Sequence, residues 1–240
     1  MIPPDTHLQI GSLLFEGLDQ IDLTGPFEVL SRVPNSTYRV YGPSLEPVRD
    51  VRGLRILPDA VLADAPRLDV LHVPGGQGQE ALMRDADLLS WIRDQAAGAG
   101  HVLSVCTGAL LLGAAGLLVG RRATTYWNAA HLLPWFGAEP VDERVVIDRD
   151  ADGRTWVFAA GVTAGIDGAL RLAAALRGDE AAQAIQLGMQ YAPEPPFDSG
   201  TPRTAPPAIV ERARAAAADI TARREATARS IAADLGIRIP

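Results

Sequence analysis

Cys106 is the only cysteine in the chain, and it stands where two kinds of text meet. His101-Val102-Leu103-Ser104-Val105 is an apolar run of β type, and helix-type text begins at Gly108-Ala109-Leu110-Leu111-Leu112-Gly113. A residue at such a strand-to-helix turn is held on a sharp bend with its side chain presented outward. The first amides of the following helix are unpaired and carry partial positive charge. That setting lowers a thiol's pKa and favours the reactive thiolate. A buried structural cysteine is the plain alternative.

Three further features bear on this thiol. Gly75-Gly76 closes the apolar run Leu68 to Val73, and glycines there let backbone N–H groups approach a ligand and oppose negative charge developing near Cys106. An ordinary tight turn is the competing reading. Thr107 follows the cysteine, so its N–H points into the same space. Its hydroxyl either bonds a reacting nitrogen or water, or satisfies the helix N-terminus. Asp22 opens Asp22-Leu23-Thr24-Gly25-Pro26, just past the first strand. It is either a helix N-cap or a carboxyl group that exchanges a proton with the thiol, and in the second case the two groups titrate as a pair. His131 falls on a helix, His72 inside a strand and His101 at the start of the cysteine strand. None is placed as a base for Cys106, so a Cys-His-acid hydrolase is poorly supported. One cysteine and four histidines without ligand-type spacing offer no metal site.

The elements that must position these residues are legible as alternation. Strands are expected at Leu8 to Phe15, Tyr38 to Tyr41, Leu68 to Val73, the run into Cys106, Arg122 to Thr125, and a hairpin of Arg144 to Ile147 with Trp156 to Ala160. Helices are expected from Leu23, with Pro26 in a first turn, and over Glu80 to Ala97, the run after Cys106, Ala129 to Phe136, Gly165 to Arg177 and Glu180 to Tyr191. Val51 to Leu57 reads as a small hairpin or an edge excursion. Strands alternating with helices predict an α/β fold with a parallel sheet covered on both faces, and ligands in such folds bind beyond the carboxyl ends of the strands. Residues 1–191 then form the catalytic domain. Residues 192–207, with six prolines, form an extended strap. Residues 208–240 carry one amphipathic helix of about 40 Å, whose apolar repeat Arg224 interrupts, packing on its own domain or on a second subunit.

Composition narrows the class. The chain has 240 residues, 48% of them hydrophobic and 21% charged, enough for a well-filled core. A net charge of −7 argues against nucleic acid as partner. There is no apolar run long enough for a membrane span. The polar, proline-containing start from Met1 to His7 is not a secretion signal, so the cytoplasm is the expected compartment.

Taken in order, Asp22-Leu23-Thr24-Gly25-Pro26, Val73-Pro74-Gly75-Gly76, Ser104-Val105-Cys106-Thr107-Gly108, Gly120-Arg121-Arg122-Ala123-Thr124-Thr125, Gly161-Val162-Thr163-Ala164-Gly165-Ile166-Asp167, and Tyr191-Ala192-Pro193 with Pro196-Phe197-Asp198-Ser199-Gly200-Thr201-Pro202 resemble the isonitrile hydratases of the class I glutamine amidotransferase-like superfamily. The resemblance runs over about residues 8–205. It implies a flavodoxin-like sandwich, a homodimer, and hydration of an isonitrile to an N-substituted formamide without a cofactor. By position it implies Cys106 as nucleophile, Asp22 as general acid and base, Thr107 as helper, and a pocket lined near Gly75, Gly76 and Val162. Tyr126 stands where the family usually has histidine, which reshapes that pocket. Two other readings stay open. One is a superfamily enzyme acting on a carbonyl compound through Cys106. The other is the ligand-binding amidase-like domain of a transcription regulator, against which the short tail after Pro206 leaves little room for a helix-turn-helix reader.

Overall fold

In the computed structural model, residues 2–237 are described. In chain order the elements are β1 (Leu8–Leu13), α1 (Gln20–Leu30), β2 (Ser36–Gly42), β3 (Val48–Arg49), β4 (Arg55–Ile56), β5 (Ala60–Val61), a short turn of 3-10 helix (Leu62–Asp64), β6 (Val70–Val73), α2 (Gln79–Leu82), α3 (Ala86–Gly98), β7 (His101–Val105), α4 (Gly108–Ala114), β8 (Arg122–Ala123), a 3-10 stretch (Trp127–Phe136), β9 (Glu139–Pro140), β10 (Val145–Arg149), β11 (Thr155–Ala159), α5 (Ala164–Arg177), α6 (Asp179–Gly188), α7 (Pro207–Ala216) and α8 (Ala218–Asp234).

Seven strands form one sheet in the order β10-β11-β7-β6-β1-β2-β5. Only β10, the edge strand, runs antiparallel to its neighbour. Parallel strands are covered on both faces and so read as continuous apolar runs, and every residue of β6 and β11 is buried. One face packs α1, α5 and α6 around Val29, Leu103, Val157, Leu172 and Ile185. The other packs α3, α4, the 3-10 stretch and α8 around Leu71, Ile92, Leu111, Phe136 and Ile231.

The chain lays β2 and β5 on one side of β1, then crosses to the opposite side for β6 and β7. Strand order therefore reverses between β1 and β6, which opens a crevice beyond their carboxyl ends. Asp22 follows β1, Gly75-Gly76 follows β6 and Cys106 follows β7, so all of them gather at that crevice.

Several elements differ from the sequence expectations, each for a local reason. The helical text after Gly76 is two helices, because Asp85 stops the first and caps α3 by accepting from the Leu88 N–H at 3.0 Å. Pro26 lies in the interior of α1 instead of its first turn, because Asp19 caps that helix. Thr124 and Thr125 leave the short β8 strand, Thr125 to bond elsewhere. The 3-10 stretch contains Pro134, which cannot donate to a helical ladder. The C-terminal helix breaks at Ala217 into α7 and α8. The run Ala215 to Ala218 has high helix propensity but no side chains to hold one axis, so the docking of α8 sets its own direction. Within α8, Arg224, Ala228, Ile231 and Ala232 are buried against the chain's own body, whereas α7 buries nothing. The last three residues of the expected helix, 238–240, lie outside the described residues.

Candidate active site

Cys106 has φ +54°, a left-handed conformation that costs an L-residue about 1–2 kcal/mol. The backbone is pinned there from both sides. The Cys106 N–H donates to the Ala159 carbonyl of β11 at 2.9 Å. Its own carbonyl accepts from the Thr125 hydroxyl at 2.6 Å. Strain held in place by surrounding bonds marks a functional turn, and α4 starts two residues on. The side chain is 6% exposed.

Asp22 stands beside this thiol, fully buried in the first turn of α1. Asp19, not Asp22, is the N-cap, accepting from the Ile21 N–H at 3.2 Å. Asp22 Oδ2 accepts from the Gly75 N–H at 3.0 Å, and Oδ1 is buried with no regular hydrogen-bond partner. Burial, with the Asp19 charge adding to it, pushes the Asp22 carboxyl up to about 8, while the Gly75 N–H and the Cys106 thiol pull the other way. Asp22 is therefore a carboxylic acid at neutral pH. The Cys106 thiol, in contrast to the lowered value expected for a helix N-terminus, is pushed well above its ordinary range. Burial is the main cause and the Asp22 charge the second, outweighing the Thr107 N–H and the Arg224 guanidinium that favour thiolate. Two neighbouring groups that would both carry negative charge each hold the other protonated.

The turn after β6 is built around this pair. A Cβ at Gly75 would lie 2.5 Å from the Thr107 nitrogen and 2.9 Å from Asp22 Oδ2, so only glycine fits. Gly76 has φ +136°. The Thr107 hydroxyl bonds both the N–H and the carbonyl of Gly76 at 3.1 Å, so it holds the glycine turn and is not free for a reacting nitrogen. Arg224 of α8 completes the turn. Its Nη2 donates to the Gly76 carbonyl at 2.8 Å, and its Nε donates to Gln79 Oε1 at 3.0 Å. The only sequence signal for Arg224 was its interruption of the apolar repeat of the last helix.

Tyr126 and Val162 line a cavity of about 260 Å³ together with Trp127, Gly161, Thr163 and the strap residue Pro202. Gly75, Gly76 and Cys106 do not line it. The structure thus groups the expected residues into a buried set (Cys106, Asp22, Thr107, Gly75, Gly76) and a cavity set (Tyr126, Val162). The Tyr126 hydroxyl is raised above its ordinary pKa, chiefly by burial, so it is neutral. No histidine is among the groups that act on Cys106. His72 is buried, and Ser12 Oγ and Tyr38 Oη both bond its Nδ1, at 2.9 and 3.0 Å. Burial lowers it to about 3, so it is neutral. Its Nε2 is buried with no regular hydrogen-bond partner, and the backbone of Asp22 opposes the lowering. Pro26, four residues on, has no N–H to occupy the Asp22 carbonyl. Among the described residues no group of three or more His, Cys, Asp or Glu side chains is placed to hold a metal ion.

The DJ-1/PfpI family model matches residues 9–175. The chain belongs to the DJ-1/PfpI family. An isonitrile hydratase from Pseudomonas putida is 50% identical over 96% of this chain and 99% of its own. A ThiJ/PfpI family protein from Pseudomonas syringae has a TM-score of 0.88 at 38% identity, covering 95% of this chain and 93% of that one. Drosophila melanogaster DJ-1beta has a TM-score of 0.67 at 26% identity and covers 78% of this chain and 100% of its own. The DJ-1/PfpI model match ends before α7 and α8, so Arg224 reaches the site from outside the matched segment.

Proposed function

We propose that the protein hydrates isonitriles to N-substituted formamides, with Cys106 as nucleophile and Asp22 as general acid and base. The observation that carries this reading is a protonated, buried carboxyl beside the thiol with one oxygen left unpartnered. The near full-length likeness to an isonitrile hydratase supplies the substrate class. An isonitrile carbon needs a proton and a nucleophile on the same atom, which is what this pair offers.

In the first step the Cys106 sulfur forms a bond to the terminal carbon while Asp22 delivers a proton to that carbon. The thiol proton passes to Asp22, so the acid is regenerated, and the product is a thioimidate, R–N=CH–S–Cys106. Asp22 then gives its proton to the nitrogen and takes one from water as the water oxygen adds to the same carbon, leaving R–NH–CH(OH)–S–Cys106. The carbon–sulfur bond breaks, sulfur is reprotonated, and R–NH–CHO leaves. Covalent catalysis divides one hard addition into two easier ones. The Thr107 N–H supplies a fixed dipole at the sulfur, while the glycine-turn N–H groups are spent on holding Asp22 and Thr107. The Tyr126 and Val162 cavity receives the R group. No helix of the described residues is long and apolar enough to cross a membrane, and a free small-molecule substrate suits such a chain.

The assembly we read as a homodimer. All of α7 lacks buried residues, and Phe197 of the strap is 78% exposed, which a second copy would cover. Light scattering on the purified chain tests this, and a monomer at micromolar concentration rules it out.

The deciding experiment follows formamide production from p-nitrophenyl isocyanide by the parent and by Cys106→Ala. Turnover by the parent that is lost in the variant is expected. No turnover from a folded parent overturns the hydratase reading. A nematode glutathione-independent glyoxalase is 31% identical over 44% of this chain. A glyoxal assayed in parallel therefore separates carbonyl chemistry from isonitrile hydration.

A further inference from the structure

Arg224 is 6% exposed, yet no carboxylate among the described residues bonds it. Its two hydrogen bonds go to neutral oxygens, the Gly76 carbonyl and the Gln79 amide. Burying a cation costs several kcal/mol unless a partner charge compensates it, so packing alone does not account for an arginine at a position where the helix repeat calls for an apolar residue. What the guanidinium touches does account for it. Gly76 is locked to Thr107 on one side and to Arg224 on the other, and Thr107 adjoins Cys106.

We propose that Arg224 is a positioning residue for the Cys106 site: carried in by α8, it clamps the Gly75-Gly76 turn and supplies the positive charge against which the sulfur works. The inference rests on Cys106 being the reacting group. The surrounding charges agree with it. Glu80, Tyr126 and Arg223 are the other ionisable groups acting on Arg224, while Asp22 and Asp19 raise the Cys106 thiol and Arg224 opposes them. Arg223 and Glu80 engage each other at 3.8 Å, and no other cation is among the groups that act on the thiol. A lysine cannot copy the fork that reaches two separate acceptors, so charge and clamp are separable by substitution.

The test measures the rate of Cys106 alkylation by iodoacetamide at several pH values in the parent, Arg224→Met and Arg224→Lys. The kcat and KM for p-nitrophenyl isocyanide and the thermal melting of each protein are measured alongside. The chain has one cysteine and no lysine, so alkylation reports this thiol. An opposite charge nearby shifts a pKa by about one unit or more, so Arg224→Met is expected to alkylate about tenfold more slowly at any pH below the thiol midpoint. Its kcat falls and its KM changes little. Arg224→Lys is expected to restore the alkylation rate but not the kcat. Alkylation of the methionine variant at the parent rate or faster overturns the proposal and leaves Arg224 as a structural peg. If the methionine variant does not fold, the lysine variant decides, and parental turnover with lysine overturns the clamp. Alkylation is read whether or not any isonitrile is converted. A parent inert to isonitriles therefore sinks the hydratase reading and leaves the Arg224 comparison standing.

Discussion

Asp22 works in a state that weakens the fold. In the folded chain it keeps its proton up to about pH 8, against an ordinary 3.8. Between those values the unfolded chain holds fewer protons than the folded one, so stability from this group is full below about pH 4 and falls as the pH rises to 8. Asp22→Asn keeps the shape without the charge. We expect its melting temperature to exceed the parent's by several degrees at pH 8, since a few kcal/mol move a chain of this size by about 2–4 °C each, and the gap to narrow toward pH 5. Its turnover falls by about 10²–10⁴. A gap that does not change with pH refutes the assigned protonation state. Gly75→Ala tests the turn beside it. The added Cβ meets the Thr107 nitrogen and Asp22 Oδ2, so a loss of about 1–3 kcal/mol from overpacking with collapse of turnover is expected by denaturant titration and assay. At this scale the sequence showed Cys106 clearly, because one residue between a β run and a helix run has few structural roles. Asp22 was ambiguous, since an N-cap and a buried acid look alike until Asp19 is seen in the cap position. Thr107 was readable as a helix-start threonine, but its bond to Gly76 spans 31 positions and no local pattern carries it.

The elements show why Pro26 is tolerated inside α1. It withholds an N–H from the Asp22 carbonyl. The Asp22 backbone acts on His72 of β6, and His72 Nδ1 bonds the hydroxyls of Ser12 of β1 and Tyr38 of β2. Three strands are thus tied by polar groups directly behind the acid. His72→Leu strips an acceptor from two hydroxyls, and a loss of about 2–4 kcal/mol is expected in urea, since each buried unpaired hydroxyl costs about 1–3 kcal/mol. Tyr38→Phe, which removes one partner and leaves none orphaned, should cost less. The last two helices differ in the same terms. Ile231→Ala in α8, buried at 6%, is expected to lose about 2–5 kcal/mol. Ile209→Ala in α7, exposed at 42%, should stay within about 0.5 kcal/mol. Equal losses would mean that α7 is packed in solution. Strand positions were legible because buried parallel strands leave uninterrupted apolar text. The break at Ala217 was not, since an alanine run favours helix on both sides and only docking distinguishes them.

For the whole molecule, β–α alternation was enough to predict the covered parallel sheet. The placement of the site followed from the carboxyl ends of the strands, but the reversal between β1 and β6 needs the pairing itself. Arg177 makes several of the bonds that tie down the N-terminal segment. Arg177 donates to the carbonyls of Ile2, Pro3 and Asn35 at 3.2, 2.9 and 3.3 Å. Arg177→Ala is expected to speed amide exchange in β1 near Leu8 while leaving Cys106 alkylation unchanged. The same end-to-end construction has a consequence for synthesis. Gly76 and Arg224 are 148 positions apart, and a ribosome adds about 5–20 residues each second. About 7–30 s therefore separate the emergence of the glycine turn from that of the arginine that holds it. During that interval the nascent chain carries its thiol without its clamp, exposed to whatever oxidants and electrophiles surround it. On this reading a newly made molecule gains its clamp only once α8 has emerged and docked.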